Sequence, residues 1–210
     1  MPDSHRLGID AFSRSGAGDL RVGLTSSVSE RRIRDVMAAR LFGLVALATL
    51  TTLVLANGIA MPSGAILTFL HLVDLVFHEA GHVIFGFFGR FIAVLGGSLN
   101  QVLVPALCTG VFLARRQYAS AAVTLFWTGQ SLVDVAVYVA DGRAMALPLL
   151  ADGLIHDWNF ILGHLGLLGA AESLGRLTFG LGALTMVAAL VLLGWDAWTC
   201  MLSSQARNRA

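Results

Sequence analysis

The stretch Ala65-Ile-Leu-Thr-Phe-Leu-His71-Leu-Val-Asp74-Leu-Val-Phe-His78-Glu79-Ala-Gly-His82-Val-Ile-Phe-Gly-Phe-Phe88 decides how this chain is read. It is apolar over a length that, at about 1.5 Å per helical residue, crosses a hydrocarbon core of about 30 Å. Yet His71, Asp74, His78, Glu79 and His82 all lie inside it. Ionisable groups at membrane depth are costly and mark functional sites by default. At about 100° per residue, His71, Asp74, His78 and His82 fall on one stripe of an otherwise apolar helix.

Outward from this stretch the chain keeps the same character. Of its 210 residues 56% are hydrophobic and only 13% charged, and the mean hydropathy is +0.76. Soluble domains carry about 25% charged residues, so a water-soluble globule is excluded. The fold class expected is an all-α polytopic membrane protein of five to six transmembrane helices. The net charge of +1 gives no reason to expect a nucleic-acid partner. Every basic residue is Arg. Cys108 and Cys200 sit in apolar stretches and read as small buried hydrophobes rather than a disulfide framework.

Residues 1–38 are Ser-, Gly- and Arg-rich and read as a flexible cytosolic tail that turns helical near Arg31–Arg40. A single helical membrane domain is expected over 39–202, followed by a polar tail, 203–210. The expected spans are Leu41–Ala60, Ala65–Phe88, Phe91–Ala114, Ala119–Ala140, a weaker Leu154–Ala171, and Leu177–Trp198. The third contains Gly96-Gly97 and Pro105. It therefore reads either as a full crossing, which its length favours, or as a re-entrant hairpin. The basic N-terminal segment places the N-terminus in the cytosol, and a bacterial inner membrane is the expected location.

His78-Glu-Ala-Gly-His82 is an H-E-x-x-H sequence. Residues four apart share one helix face, so both imidazoles can reach one tetrahedral Zn²⁺. Glu79 falls beside the open coordination position, where it can take a proton from a water. Asp74, one turn before His78, is the expected carboxylate partner of that imidazole. A catalytic zinc needs a third protein ligand. Within Gly153-Leu-Ile-His156-Asp157-Trp158-Asn159, Asp157 is the favoured ligand, His156 the alternative, and Asp134 the third choice. Trp158 reads as an interfacial aromatic. Gly96-Gly-Ser-Leu-Asn100-Gln101 reads either as a kink or as a place where an extended substrate pairs, with Asn100 and Gln101 holding its amides.

The phrase Phe77-His-Glu-Ala-Gly-His-Val-Ile-Phe85, with a Gly-rich stretch and a later Asp behind it, resembles the motif helix of the site-2 protease family of intramembrane zinc metalloproteases. That resemblance implies hydrolysis of peptide bonds within or near the bilayer, with a membrane-protein or peptide substrate. It makes His78 and His82 zinc ligands and Glu79 the catalytic base. The family's third ligand is an Asp in a later Asn-Pro/Asp-Gly type motif. Here Asp152-Gly153 and Asp141-Gly142 match only its last two residues, and His156-Asp157-Trp158 stands in its place. The match covers one helix of a short chain. Two rival readings follow from the same residues: a non-hydrolytic protein that moves or senses a metal or proton along the His/Asp stripe, and an inactive scaffold with a structural zinc closed by Cys108.

Overall fold

In the computed structural model the backbone is described over residues 6–148 and 155–207, and the side chains over 31–148 and 155–206. Among the described residues the secondary structure is helical: α1 Arg6–Asn57, α2 Ala65–Phe85, α3 Arg90–Ala114, α4 Tyr118–Asp141, α5 Asp157–His164 and α6 Ala171–Arg207. Two short 3₁₀ turns, Gly86–Phe88 and Leu168–Ala170, join α2 to α3 and α5 to α6. Five segments are long and apolar enough to cross a bilayer: Arg31–Asn57, Ala65–Phe88, Arg90–Ala114, Tyr118–Asp141 and Leu168–Ala206. The chain is an all-α integral membrane protein.

Three expectations about the elements change. The segment expected as a tail is helical from Arg6, and the polar C-terminal stretch stays helical to Arg207. The weak segment Leu154–Ala171 does not span: its helix, α5, has eight residues, about 12 Å of rise. Gly166, at φ 68, then turns the chain toward α6. The third apolar stretch keeps the reading that its length favoured: α3 runs unbroken through Gly96-Gly97 and Pro105 and is long and apolar enough to cross a bilayer, with no hairpin in it.

Contacts divide the chain into one unit of Met1–Phe42 with Ala197–Ala210 and another of Gly43–Asp196. The candidate site residues His78, Glu79, His82 and Asp157 all belong to the second. Its centre is α4, which supplies Ala122, Phe126 and Val133 to a core shared with Leu47 and Val54 of α1 and Met186, Ala189 and Leu193 of α6. Small residues bring these helices together. A Cβ on Gly129 would stand 2.7 Å from the Gly182 carbonyl, and one on Gly182 would stand 2.7 Å from the Gly129 carbonyl. Polarity is inverted relative to a soluble bundle. Asp74, Asn100, Gln101, Gln130, Ser131 and Asp134 are buried, whereas Phe69, Val76, Val83 and Phe87 face outward. In hydrocarbon that is the favourable arrangement, since polar groups must find partners inside the protein.

The α2–α3 pair is the tightest crossing. A Cβ on Gly81 would run into the Gly96 carbonyl and lie 2.7 Å from Asn100 Cβ. Because backbone, not a flexible side chain, stands in the way, Gly81→Ala is expected to destabilise the fold by about 1–3 kcal/mol. A thermal midpoint in detergent equal to that of the wild type would show that the helices can part without cost.

Candidate metal centre

His78 and His82 project from successive turns of α2 with ring centroids 4.8 Å apart. The glycine contact between α2 and α3 sets the inner wall of the space before them. A Cβ on Gly97 would stand 2.6 Å from His78 Nε2 and 2.7 Å from His82 Nε2. The absent side chain therefore leaves an opening in front of both nitrogens. Each ring is held from behind: His78 Nδ1 lies 3.1 Å from Gln101 Oε1, and His82 Nδ1 lies 2.9 Å from the Ala93 carbonyl. Both partners are acceptors, so each Nδ1 carries the hydrogen and each Nε2 is turned into the opening.

Asp157 meets them from α5. Its Oδ2 lies 2.9 Å from His78 Nε2 and 3.2 Å from His82 Nε2. Two ligands of one tetrahedral zinc stand about 3.3 Å apart, given zinc–ligand bonds near 2.0–2.2 Å. Donor chemistry tests the fit further. Each imidazole faces an acceptor on both sides, and a neutral ring has only one N–H to give. A cation between the two Nε2 atoms and Oδ2 satisfies all three at once.

Glu79 is exposed on the same helix, and its carboxylate makes no hydrogen bond or ion pair among the described residues. Ligand atoms of His78, Glu79 and His82 lie within 4.8 Å of one another. All of these groups line a cavity of about 400 Å³ whose wall also includes His71, Asp134 and Tyr138.

Short interactions at the end of α5 aim Asp157. His156 caps the helix, its Nδ1 accepting from Asn159 N at 3.2 Å while its Nε2 donates to Asp141 Oδ2 at 3.1 Å. Asn159 Nδ2 donates to the Gly142 carbonyl, and Trp158 Nε1 donates to Ser98 Oγ at 3.1 Å. The Arg90 guanidinium sits 5.0 Å over the Phe160 ring.

Of the residues expected at the site, His78, Glu79, His82 and Asp157 come together. His156 does not join them, because its Nδ1 is used in the α5 cap and its Nε2 by Asp141 at the end of α4. Asp74 is not the partner of His78. It is fully buried, and its Oδ1 accepts from Trp127 Nε1 and Ser131 Oγ of α4. Asn100 and Gln101 are not free to hold a substrate. Asn100 Nδ2 donates to the Phe77 carbonyl at 2.8 Å, and Gln101 is bonded to His78 and to Asp134. Trp158 belongs to the cavity wall. Asp141 accepts from Ala146 N, Leu147 N and His156 and so organises the loop after α4. Asp152-Gly153 lies outside the described residues. Cys108 is a free thiol and no part of the cluster.

No protein-family profile, curated protein or solved structure matches the chain. The functional reading therefore rests on residues and geometry. Sequence reasoning missed the partners of the ligands. The Ala93 carbonyl has no sequence signal, being backbone. Gln101 and Asp134 did stand out as polar residues in apolar helices, but a one-dimensional reading could not pair them.

Proposed function

We propose that this chain is an intramembrane zinc metalloprotease, with His78, His82 and Asp157 as the metal ligands and Glu79 as the general base. The observation that carries the reading is the convergence of His78 Nε2, His82 Nε2 and Asp157 Oδ2 on one opening, with the unengaged Glu79 carboxylate beside it. Zinc bound there would polarise a scissile carbonyl and lower the pKa of water toward about 7. The chain's own residues do the rest. Glu79 accepts a proton from the attacking water as the C–O bond forms, and delivers it to the leaving amine as the C–N bond breaks. The cavity wall admits a locally unwound segment of a membrane-protein or peptide substrate, whose backbone groups must find partners once they leave their helix.

Orientation belongs to the same proposal. Arg90 and Arg143 follow the ends of α2 and α4, and Arg115-Arg116 follow the end of α3, so the two sets take opposite faces. With the Arg-rich N-terminal segment cytosolic, Arg90 and the metal centre near it lie toward the cytosol, in a bacterial inner membrane.

The direct test is zinc content of the detergent-purified protein. One zinc per chain is expected for the wild type and for His156→Ala, and loss of zinc for His78→Ala and Asp157→Ala. A wild type that holds no zinc after supplementation ends the protease reading. One specific observation favours a second reading, metal or proton movement: the His71 Nδ1–Asp134 Oδ1 pair, at 2.8 Å, lines the same cavity about two helical turns from the centre. More than one zinc per chain, with the excess lost in His71→Ala, would favour it.

A further inference from the structure

Behind His78 a hydrogen-bonded chain runs through three helices. Asp134 of α4 is buried, and its two oxygens each have a partner. Oδ1 lies 2.8 Å from His71 Nδ1, and Oδ2 accepts from Gln101 Nε2 at 2.9 Å. A carboxylate only accepts, so the Gln101 amide has one orientation open to it: nitrogen toward Asp134, oxygen toward His78. That oxygen then requires a hydrogen on His78 Nδ1. Turned the other way, Gln101 would place its NH₂ against Nδ1, force the hydrogen onto Nε2 and remove the lone pair that faces Asp157. The direction of every bond in the row is thus set by the charge at its far end.

We infer that Gln101 and Asp134 are positioning residues that fix His78 in its metal-binding tautomer, Asp134 acting through the Gln101 amide. The inference rests on the metal reading proposed above and goes beyond the ligand set. It assigns a role to two buried polar residues that touch neither the metal position nor Glu79. Its physical basis is that partners of ligating imidazoles fix the tautomer and orientation of the ring. His82 needs no such arrangement, because the Ala93 carbonyl is an acceptor whichever way its surroundings turn.

The polarity of the row supplies a test that a merely structural role would not pass. Gln101→Leu removes the acceptor behind His78. Gln101→Glu restores an acceptor there but sets two carboxylates against each other. The double variant Gln101→Glu with Asp134→Asn exchanges the carboxylate and the amide. Its amide nitrogen, now on α4, donates to the carboxylate on α3, and its amide oxygen accepts from His71. The carboxylate on α3 in turn accepts from His78 Nδ1. Every bond of the original row then has a donor and an acceptor. Zinc affinity is measured by chelator competition on the full-length proteins in detergent, with helical content followed by circular dichroism. Gln101→Leu and Gln101→Glu are expected to bind zinc about 10–100-fold more weakly than the wild type, and the double variant to return close to the wild-type affinity. Wild-type affinity in Gln101→Leu overturns the inference, as does a folded double variant no better than Gln101→Glu. Should Gln101→Leu fail to fold, the double variant decides alone. Should the wild type itself bind no zinc, the metal reading fails and takes this inference with it, a result distinct from a wild type that binds while Gln101 proves irrelevant.

Discussion

Glu79→Gln is expected to cut the proposed proteolysis by about 10²–10⁴-fold while leaving zinc in place. The substitution keeps the shape of the side chain and removes only its capacity to accept a proton. General acid–base groups contribute about 10²–10⁴-fold to rate, so turnover should fall by a factor in that range. Glu79 has no hydrogen-bond partner among the described residues and is exposed on its helix, so little structural cost is expected. The measurement is a comparison of membrane-protein fragments in cells expressing wild type or Glu79→Gln, followed by cleavage of the leading substrate in detergent. Fragments made equally by both proteins would sink the assignment. Loss of zinc from Glu79→Gln would be equally informative, because Glu79 ligand atoms lie within 4.8 Å of those of His78 and His82. Glu79 would then be a ligand, and the base would have to be sought elsewhere.

The helices of the membrane domain were legible because hydropathy reports directly on what a bilayer requires. Length, apolar runs and the Arg and Gly stops placed α2, α3 and α4 within a few residues. Leu154–Ala171 misled for a physical reason. Its apolar residues are divided between the eight-residue helix α5 and the turns that follow it, and composition alone does not distinguish such a broken segment from one that crosses a membrane. Helix α1 extends back to Arg6 through a Ser- and Gly-rich stretch whose low propensity gave no such indication.

The site divides along the same line between local and tertiary information. His78, Glu79 and His82 were readable because their relation is fixed by helical geometry alone. Asp157 was readable more weakly, as a carboxylate in a polar cluster next to an apolar segment. The error over Asp74 shows where local rules stop. The i, i+4 spacing that makes Asp74 and His78 neighbours is real, but α4 presents two donors, Trp127 and Ser131, to its Oδ1, and a buried carboxylate turns to the donors within its reach. Gln101 is the converse case. The sequence leaves its stretch open between a kink and a place where a substrate pairs, and the side chain instead faces inward to His78. Only the register of α3 against α2, set by Gly81 and Gly96, decides which way it faces.

That register makes Gly97→Ala the sharpest test of where the metal sits. The added methyl would lie 2.6 Å from His78 Nε2 and 2.7 Å from His82 Nε2, within the space that a zinc at about 2.0–2.1 Å from each nitrogen would occupy. Alanine is favoured over glycine within a helix by about 1 kcal/mol, so α3 itself should tolerate the change. The atoms in the way belong to imidazoles at the cavity wall, which can shift, rather than to backbone. Zinc content is therefore expected to fall to background while the thermal midpoint stays near that of the wild type. Gly110→Ala on the same helix is the control: nothing lies within 4 Å of its new Cβ, and it should keep both zinc and stability. A Gly97→Ala protein with a full complement of zinc would mean that the metal does not lie between the two Nε2 atoms. Because the methyl enters the space in front of both nitrogens and leaves the two imidazoles in the chain, the variant separates a blocked metal position from the loss of a ligand. Substitution of the histidines themselves cannot make that separation.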